Sequence, residues 1–265
     1  MRAHGASGWR STLIALASTI VFALVVVLVV SNSRGWPEVQ RQFFNGEFFR
    51  ESLRVIPKAF LLNVRIFLIA EVFILVFALF IAILRSLPGP VFFPLRALAI
   101  VYTDFFRGVP TILVIYLLGF GAPALQISGI PRDELFWGVV ALVLVYSAYV
   151  SEVYRAGIDS VHPSQEAAAR SLGLNRLQSL RYVVLPQAIR RVIPPLLNDF
   201  IGLQKDTALV ALLGVVEAFR QSQIEVAGSF NYTPYVATAV IFLALTIPLT
   251  RFTDWLIARE RRRRR

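Results

Sequence analysis

The chain has 265 residues, 57% of them hydrophobic, with a mean hydropathy of +0.66. Soluble domains hold about 45–50% apolar residues, so a membrane protein is the class that composition favours. The lack of cysteine excludes a disulfide framework and a thiolate metal site. The net charge of +11 does not point to nucleic acid, because the cations sit at the ends of apolar runs, as membrane topology requires.

A spanning helix needs about 20 mainly apolar residues. Taken in chain order, the runs that qualify are Thr12–Val30, Phe60–Leu84, Leu95–Phe120, Phe136–Tyr154, Ile193–Val216 and Tyr235–Ile257. Arg2 and Arg10 precede the first run, as in a signal peptide. Its apolar stretch exceeds the h-region of about 7–15 residues, and Val29 to Ser33 makes a poor cleavage site, so it is read as a retained helix. Between the first two runs, Arg34 to Lys58 holds five cations, partly offset by Glu38, Glu47 and Glu51. There Phe44, Phe48, Phe49, Leu53 and Ile56 recur at helical spacing, which predicts a short amphipathic helix on the outer interface. In the third run Gly108 and Pro110 predict a kink.

Between the fourth and fifth runs lies a polar segment, Ser164 to Pro186. Ser164 can N-cap a helix with Glu166 in its first turn, where the helix dipole favours an acid. Ala167 and Ala168 give that helix a low surface that another protein can approach closely. Gly173 ends it through a left-handed cap, and Asn175 caps the next stretch. Leu177, Leu180, Val183 and Val184 then share one face, expected to lie against the membrane-side core, and Pro186 breaks the run. Two readings stand on these residues: an amphipathic interfacial helix pair with no partner, or a docking surface.

Placing the N-terminus inside puts 17 of the Lys and Arg residues on the inner side and 7 outside, with Arg65, Arg107 and Lys205 within spans. The bias puts both termini and the Ser164–Pro186 loop in the cytoplasm. The tail from Arg259 through Arg261 to Arg265 reads as a basic anchor for anionic headgroups.

The only lysines are Lys58 and Lys205, and neither follows a glycine, so no phosphate loop of the form G-x-x-x-x-G-K-[ST] exists. If ATP drives this protein, another subunit hydrolyses it. The only histidines are His4 and His162. No metal site is expected, and Asp159, Ser160 and His162 are loop neighbours that nothing positions for catalysis.

EAAARSLG (Glu166 to Gly173), followed nine residues later by VVLP (Val183 to Pro186), resembles the EAA loop of bacterial ABC importer permeases. Glu166, Ala167, Ala168, Gly173, Leu185 and Pro186 match that pattern in place. FFRGVP (Phe105 to Pro110) is similar to the FRGTP segment of the polar amino-acid branch, with Val109 in place of the usual Thr. YRAGIDSV (Tyr154 to Val161) and LQKDTALVALLGVVE (Leu203 to Glu217) also look like that branch. The resemblance covers about residues 60 to 258 and implies an all-α membrane protein of the type I ABC importer transmembrane fold. It implies about six transmembrane helices and a cytoplasmic coupling helix between helices 4 and 5. The expected organisation is an N-terminal helix and outer segment (1–58), a permease domain (60–258) and a basic tail (259–265).

The resemblance further implies a non-catalytic permease subunit in a bacterial cytoplasmic membrane, translocating polar amino acids. Its partners would be an ATP-binding subunit carrying ATP and Mg, a second permease subunit (the same chain or a paralogue) and an extracytoplasmic amino-acid-binding protein. The competing readings are a stand-alone secondary transporter or channel, and a membrane scaffold that only docks a partner. An ionisable group at bilayer depth marks a pathway or a pair. Glu71, Arg107, Lys205, Asp206 and the adjoining Thr207 are therefore the candidate pathway residues. Glu71 could favour a cationic substrate or neutralise Arg107. Lys205 and Asp206 could pair across helices, and Arg107 could bind carbonyls freed at the kink.

Overall fold

The computed structural model describes residues 8–263. Arg2, His4 and the last two arginines of the tail lie outside the described residues. Among the described residues every regular element is helical. In order these are α1 (Gly8–Ser31), α2 (Trp36–Phe43), α3 (Gly46–Ser86), α4 (Phe93–Gly108), α5 (Thr111–Gly119), α6 (Gly121–Ala124) and α7 (Glu134–Asp159). They continue with α8 (Pro163–Ser171), α9 (Arg176–Ser179), a π-helical turn (Leu180–Val184), α10 (Leu185–Asp206), a 3₁₀ segment (Thr207–Leu213), α11 (Ala218–Ser229) and α12 (Thr233–Arg263).

Four of the predicted spans are helices long and apolar enough to cross a membrane: α1, α3, α7 and α12. The third predicted span is a broken pair, α4 and α5, bent by 104°. Pro110 has no N–H to donate, and the backbone at Val109 turns extended, so the helix restarts in a new direction. The fifth is not one apolar helix either. Its first part belongs to α10, which starts earlier at Leu185, carries Arg190, Arg191, Asp199, Lys205 and Asp206, and tightens into the 3₁₀ segment.

The expected separate amphipathic helix on the outer interface is corrected. Only α2 stands apart. Phe48, Phe49, Leu53 and Ile56 lie in the first turns of α3, whose 41 residues extend about 60 Å, twice the thickness of a hydrocarbon core. Asn45 starts this helix by accepting hydrogen bonds from the amides of Glu47 and Phe48. The stripe is only partly covered by protein: Phe44 and Leu53 stay exposed, while Ile56 is fully buried against Ala218 of α11 and Ala237 of α12, and Ser52 donates to Glu225 at 2.7 Å. The turn before α3 is pinned to the start of α12, where Tyr232 N donates to Gln42 O at 2.8 Å and Asn231 Nδ2 to Arg41 O at 2.8 Å.

α3 and α7 form the centre of the bundle, with α5 and α10 against α7 and with α11 and α12 against α3. Ile66, Phe67, Ala70, Ile74 and Ala78 recur on α3 at helical spacing and meet Ala141, Leu142, Val145 and Val150 of α7. Small residues bring the backbones together, as helix association in lipid requires. A Cβ on Gly157 would stand 2.0 Å from Val192 Cγ2, and one on Gly119 would stand 2.3 Å from a Leu213 methyl. By contrast, no part of the apolar window of α1 is buried within the chain.

Candidate functional site

The loop between α7 and α10 carries the EAA residues. Its cap differs from expectation: α8 starts at Pro163, and His162 is the cap, its Nδ1 accepting from Ser164 N at 3.2 Å. Proline is preorganised for the first helical turn, which moves Ser164 inside the helix. Glu166 is half-buried, Ala167 and Ala168 are exposed, and Ala169 is buried. Gly173 closes the helix with φ +88°. Its amide donates to Arg170 O and the Leu174 amide to Ala169 O, the paired bonds of a Schellman cap. Asn175 and Gln178 then form a reciprocal capping box.

Two further expectations are corrected. Leu177 does not lie against the core: it is 73% exposed, and Leu172 on the other side of Gly173 is 85% exposed. The π turn shifts the register, so that of the four residues expected inward only Val184 is buried, and Ser179 joins it. Pro186 does not end a helix but sits in the first turn of α10. In the wider turn before it, Leu185 N reaches back to Leu180 O, which makes room for the proline ring. Both Leu185 and Pro186 are exposed.

The second feature is a cleft of about 450 Å³, lined by Arg107, Tyr149, Glu152, Gly157, Arg191 and Asp199 among others. It joins the end of α4, the loop-side half of α7 and the middle of α10. The broken helix positions Arg107, placing it at the C-terminus of α4 beside the 104° bend. Its guanidinium lies 3.7 Å from Glu152 and 5.8 Å from the centre of the Tyr149 ring. It does not bind the freed carbonyls; instead the Tyr149 hydroxyl reaches the Arg107 carbonyl at 3.4 Å. Across the cleft, Asp199 Oδ2 is buried with no hydrogen-bond partner among the described residues. Arg191 donates to the carbonyl of Ser160 at the end of α7.

Of the predicted pathway residues, Arg107 alone lines this cleft. Glu71 is half-buried on α3, near enough to Asp199 and Tyr154 for their charges to interact, and Glu152 rather than Glu71 is the anion beside Arg107. Asp206 accepts from the Tyr146 hydroxyl at 2.9 Å. Lys205 is exposed and borders an apolar groove with Phe219, Tyr235 and Phe242. Thr207 is fully buried, accepting from Asn63 Nδ2 at 3.2 Å; Asn63 also donates to the buried Glu217 at 2.7 Å. Sequence reasoning passed over Glu152, Arg191 and Asp199. The signal was available: Glu152 and Asp199 are ionisable groups inside predicted spans, the same criterion that picked out Glu71.

A broken span, a polar cleft and a capped polar loop coincide with a family match. Residues 74–262 match the model of the binding-protein-dependent transport system inner membrane component. The chain belongs to this family. Among curated relatives of the permease, the probable amino-acid permease protein YxeN of Bacillus subtilis (strain 168) is 34% identical over 202 residues, spanning 76% of this chain and 89% of that one. The arginine transport system permease protein ArtQ of the same organism is 35% identical over 160 residues, 60% of this chain and 72% of that one. A solved amino acid ABC transporter with histidines aligns at a TM-score of 0.72 and 30% identity, covering 79% of this chain and 95% of that one. The inward-facing MetNI methionine ABC transporter aligns at 0.61 and 17% identity, covering 78% and 97%, which speaks to fold alone. The permease is thus a multi-pass, membrane-spanning ABC importer component with the type I transmembrane fold. Family membership sets aside the stand-alone secondary transporter or channel.

Proposed function

We propose that this permease moves polar amino acids inward through the Arg107–Asp199 cleft, driven by ATP and Mg held on a separate ATP-binding subunit. One observation carries the reading. The same walls present, among the described residues, a guanidinium whose donors are free of hydrogen bonds and a carboxylate oxygen that has no partner. An α-amino acid offers the complement: its carboxylate suits the planar fork of Arg107, and its ammonium suits Asp199. Glu71 places a second carboxyl group near Asp199, a pairing that suits basic amino acids. Asp199 and Asp206 are two turns apart on α10 and both lie by Tyr146, so Asp206 extends the polar line along that helix, while Lys205 and Thr207 point to other surroundings.

In this reading α8 is the coupling helix. Glu166, Ala167, Ala168, Gly173, Leu185 and Pro186 face the ATP-binding subunit, and the exposed Leu172 and Leu177 supply apolar anchors for it. Both termini lie in the cytoplasm of a bacterial cell. A second permease subunit and an extracytoplasmic amino-acid-binding protein complete the system.

The chain contains no cysteine, so one introduced thiol reports one position. In proteoliposomes holding the permease and its ATP-binding subunit, Ala168→Cys should cross-link to that subunit, and uptake should require ATP. Arg107→Gln and Asp199→Asn should each abolish uptake with the complex intact. ATP-independent uptake, or wild-type uptake by both variants, would refute the reading.

A further inference from the structure

Three guanidinium groups converge on one carboxylate at the wall of the cleft. Glu152 Oε1 accepts from Arg85, which reaches across from the end of α3 and also donates to Thr103 at 3.0 Å. Glu152 Oε2 accepts from Arg155 at 2.8 Å and 3.2 Å. Arg107 is the third, 3.7 Å from Oε1, too far for a hydrogen bond. Exposure separates only Arg85, whose side chain is 13% exposed, from Arg107 at 43% and Arg155 at 44%; what sets Arg107 apart from Arg155 is the missing hydrogen bond. Arg85 and Arg155 are therefore bound partners of Glu152, while Arg107 is held by its charge alone and open to the cleft.

We propose that Glu152 is a resident competitor for Arg107, occupying it electrostatically until the carboxylate of the transported amino acid takes it over. This rests on the reading of the cleft as the substrate path. Glu152 and Asp159 together neutralise two of the three cations, so a further carboxylate entering the cleft beside Arg107 meets the remaining positive charge. It can form the paired hydrogen bonds with Arg107 that Glu152 does not reach. Glu152 touches no substrate in this scheme; it is a positioning residue that sets how much of the intrinsic affinity of Arg107 is available. Its other arm runs to the loop. Arg155 also bonds Asp159 at 2.8 Å, the last residue of α7, and the next carbonyl, of Ser160, accepts from Arg191. Transfer of Arg107 from Glu152 to a ligand therefore changes the charge balance of a network that ends at the root of α8.

The test uses the permease assembled with its ATP-binding subunit in nanodiscs. Binding of the twenty common L-amino acids is measured, together with the α-amide of each one that binds. Glu152→Asp keeps the charge for Arg85 and Arg155 but draws it back from Arg107. The expected result is binding of the free amino acid about two- to fivefold tighter, the size of a half-exposed ion pair, with the amide unshifted or unbound by either protein. A structural role would shift acid and amide together. Such a joint shift, or no shift for the acid, overturns the inference. Should Glu152→Asp fail to assemble, the double variant Glu152→Gln with Arg85→Gln removes the inner pair together and is held to the same outcomes. Arg107→Gln separates the two claims. Lost binding there with an unchanged Glu152→Asp protein leaves the cleft reading standing and this inference refuted, whereas wild-type binding by Arg107→Gln refutes the cleft reading itself.

Discussion

Substitution of Gly173 isolates the backbone geometry of the loop from its side-chain contacts. The residue sits at φ +88°, and a Cβ built on it meets nothing within 4 Å, so a substitution creates no clash inside the chain. What remains is the left-handed conformation, which costs an L-residue about 1–2 kcal/mol. That lowers the equilibrium between the ordered and disordered loop by roughly 5–30-fold. Asparagine tolerates this region, alanine less well, and β-branched valine least. Uptake by proteoliposomes and co-purification of the ATP-binding subunit should fall in the order Gly, Asn, Ala, Val, with equal amounts of permease in the membrane. Wild-type uptake by Gly173→Val would show that the Schellman cap is dispensable. Asparagine as harmful as valine would show that the space beyond Gly173 matters, and not its φ, because a partner fills it. Gly173→Asp separates these further, since aspartate also tolerates the conformation but brings a charge to the docking face.

Other substitutions test the framework and the cleft. Gly157→Ala should lower thermal stability in detergent by about 1–3 kcal/mol, because its Cβ meets the stiff, buried Val192 at 2.0 Å; a second change, Val192→Ala, should recover part of the loss, and the lack of any recovery would count against this contact as the cause. Glu217→Ala leaves Asn63 Nδ2 and the amides of Phe219 and Arg220 without their acceptor, at about 3 kcal/mol or more, while Glu217→Gln keeps an acceptor and should lose less; thermal unfolding of the purified proteins compares them, and equal losses would contradict the network. Glu71→Gln should weaken uptake of basic amino acids relative to neutral and acidic ones; competition assays with unchanged selectivity would remove Glu71 from the pathway.

Hydropathy located the strongly apolar helices because burial in lipid leaves a long, one-sided composition that can be counted. It misjudged the fifth run for the same reason. The helix there carries Arg190, Arg191 and Asp199, of which Arg191 and Asp199 line the polar cleft, and it begins in the loop at Leu185 rather than at an apolar edge. The outer segment was misplaced because Phe48 to Ile56 shows only that one face is apolar, not whether lipid or α11 covers it. In the loop, Gly173 and Asn175 were legible since capping is local chemistry. The inward turn of Ser179 and the exposure of Leu177 were not, because they depend on a π turn that no residue pattern announces. Arg107 was visible as a charge inside an apolar run, but its neighbours Glu152 and Asp199 come from other helices, and only tertiary packing brings them to one cleft.

From Arg176 to Leu213 the backbone winds without a break through α, π, α and 3₁₀ geometry. The π turn holds one more residue per hydrogen-bonded ring than the helices on either side of it. Relaxing it to α geometry would shift the register by one residue and swing everything beyond it by about 100° around the helix axis. Asp199 and Asp206 share one side of that axis, so such a swing would carry both away from Tyr146 together. Stored as a single surplus residue in a short turn, a rotation of α10 needs neither a longer chain nor a flexible linker.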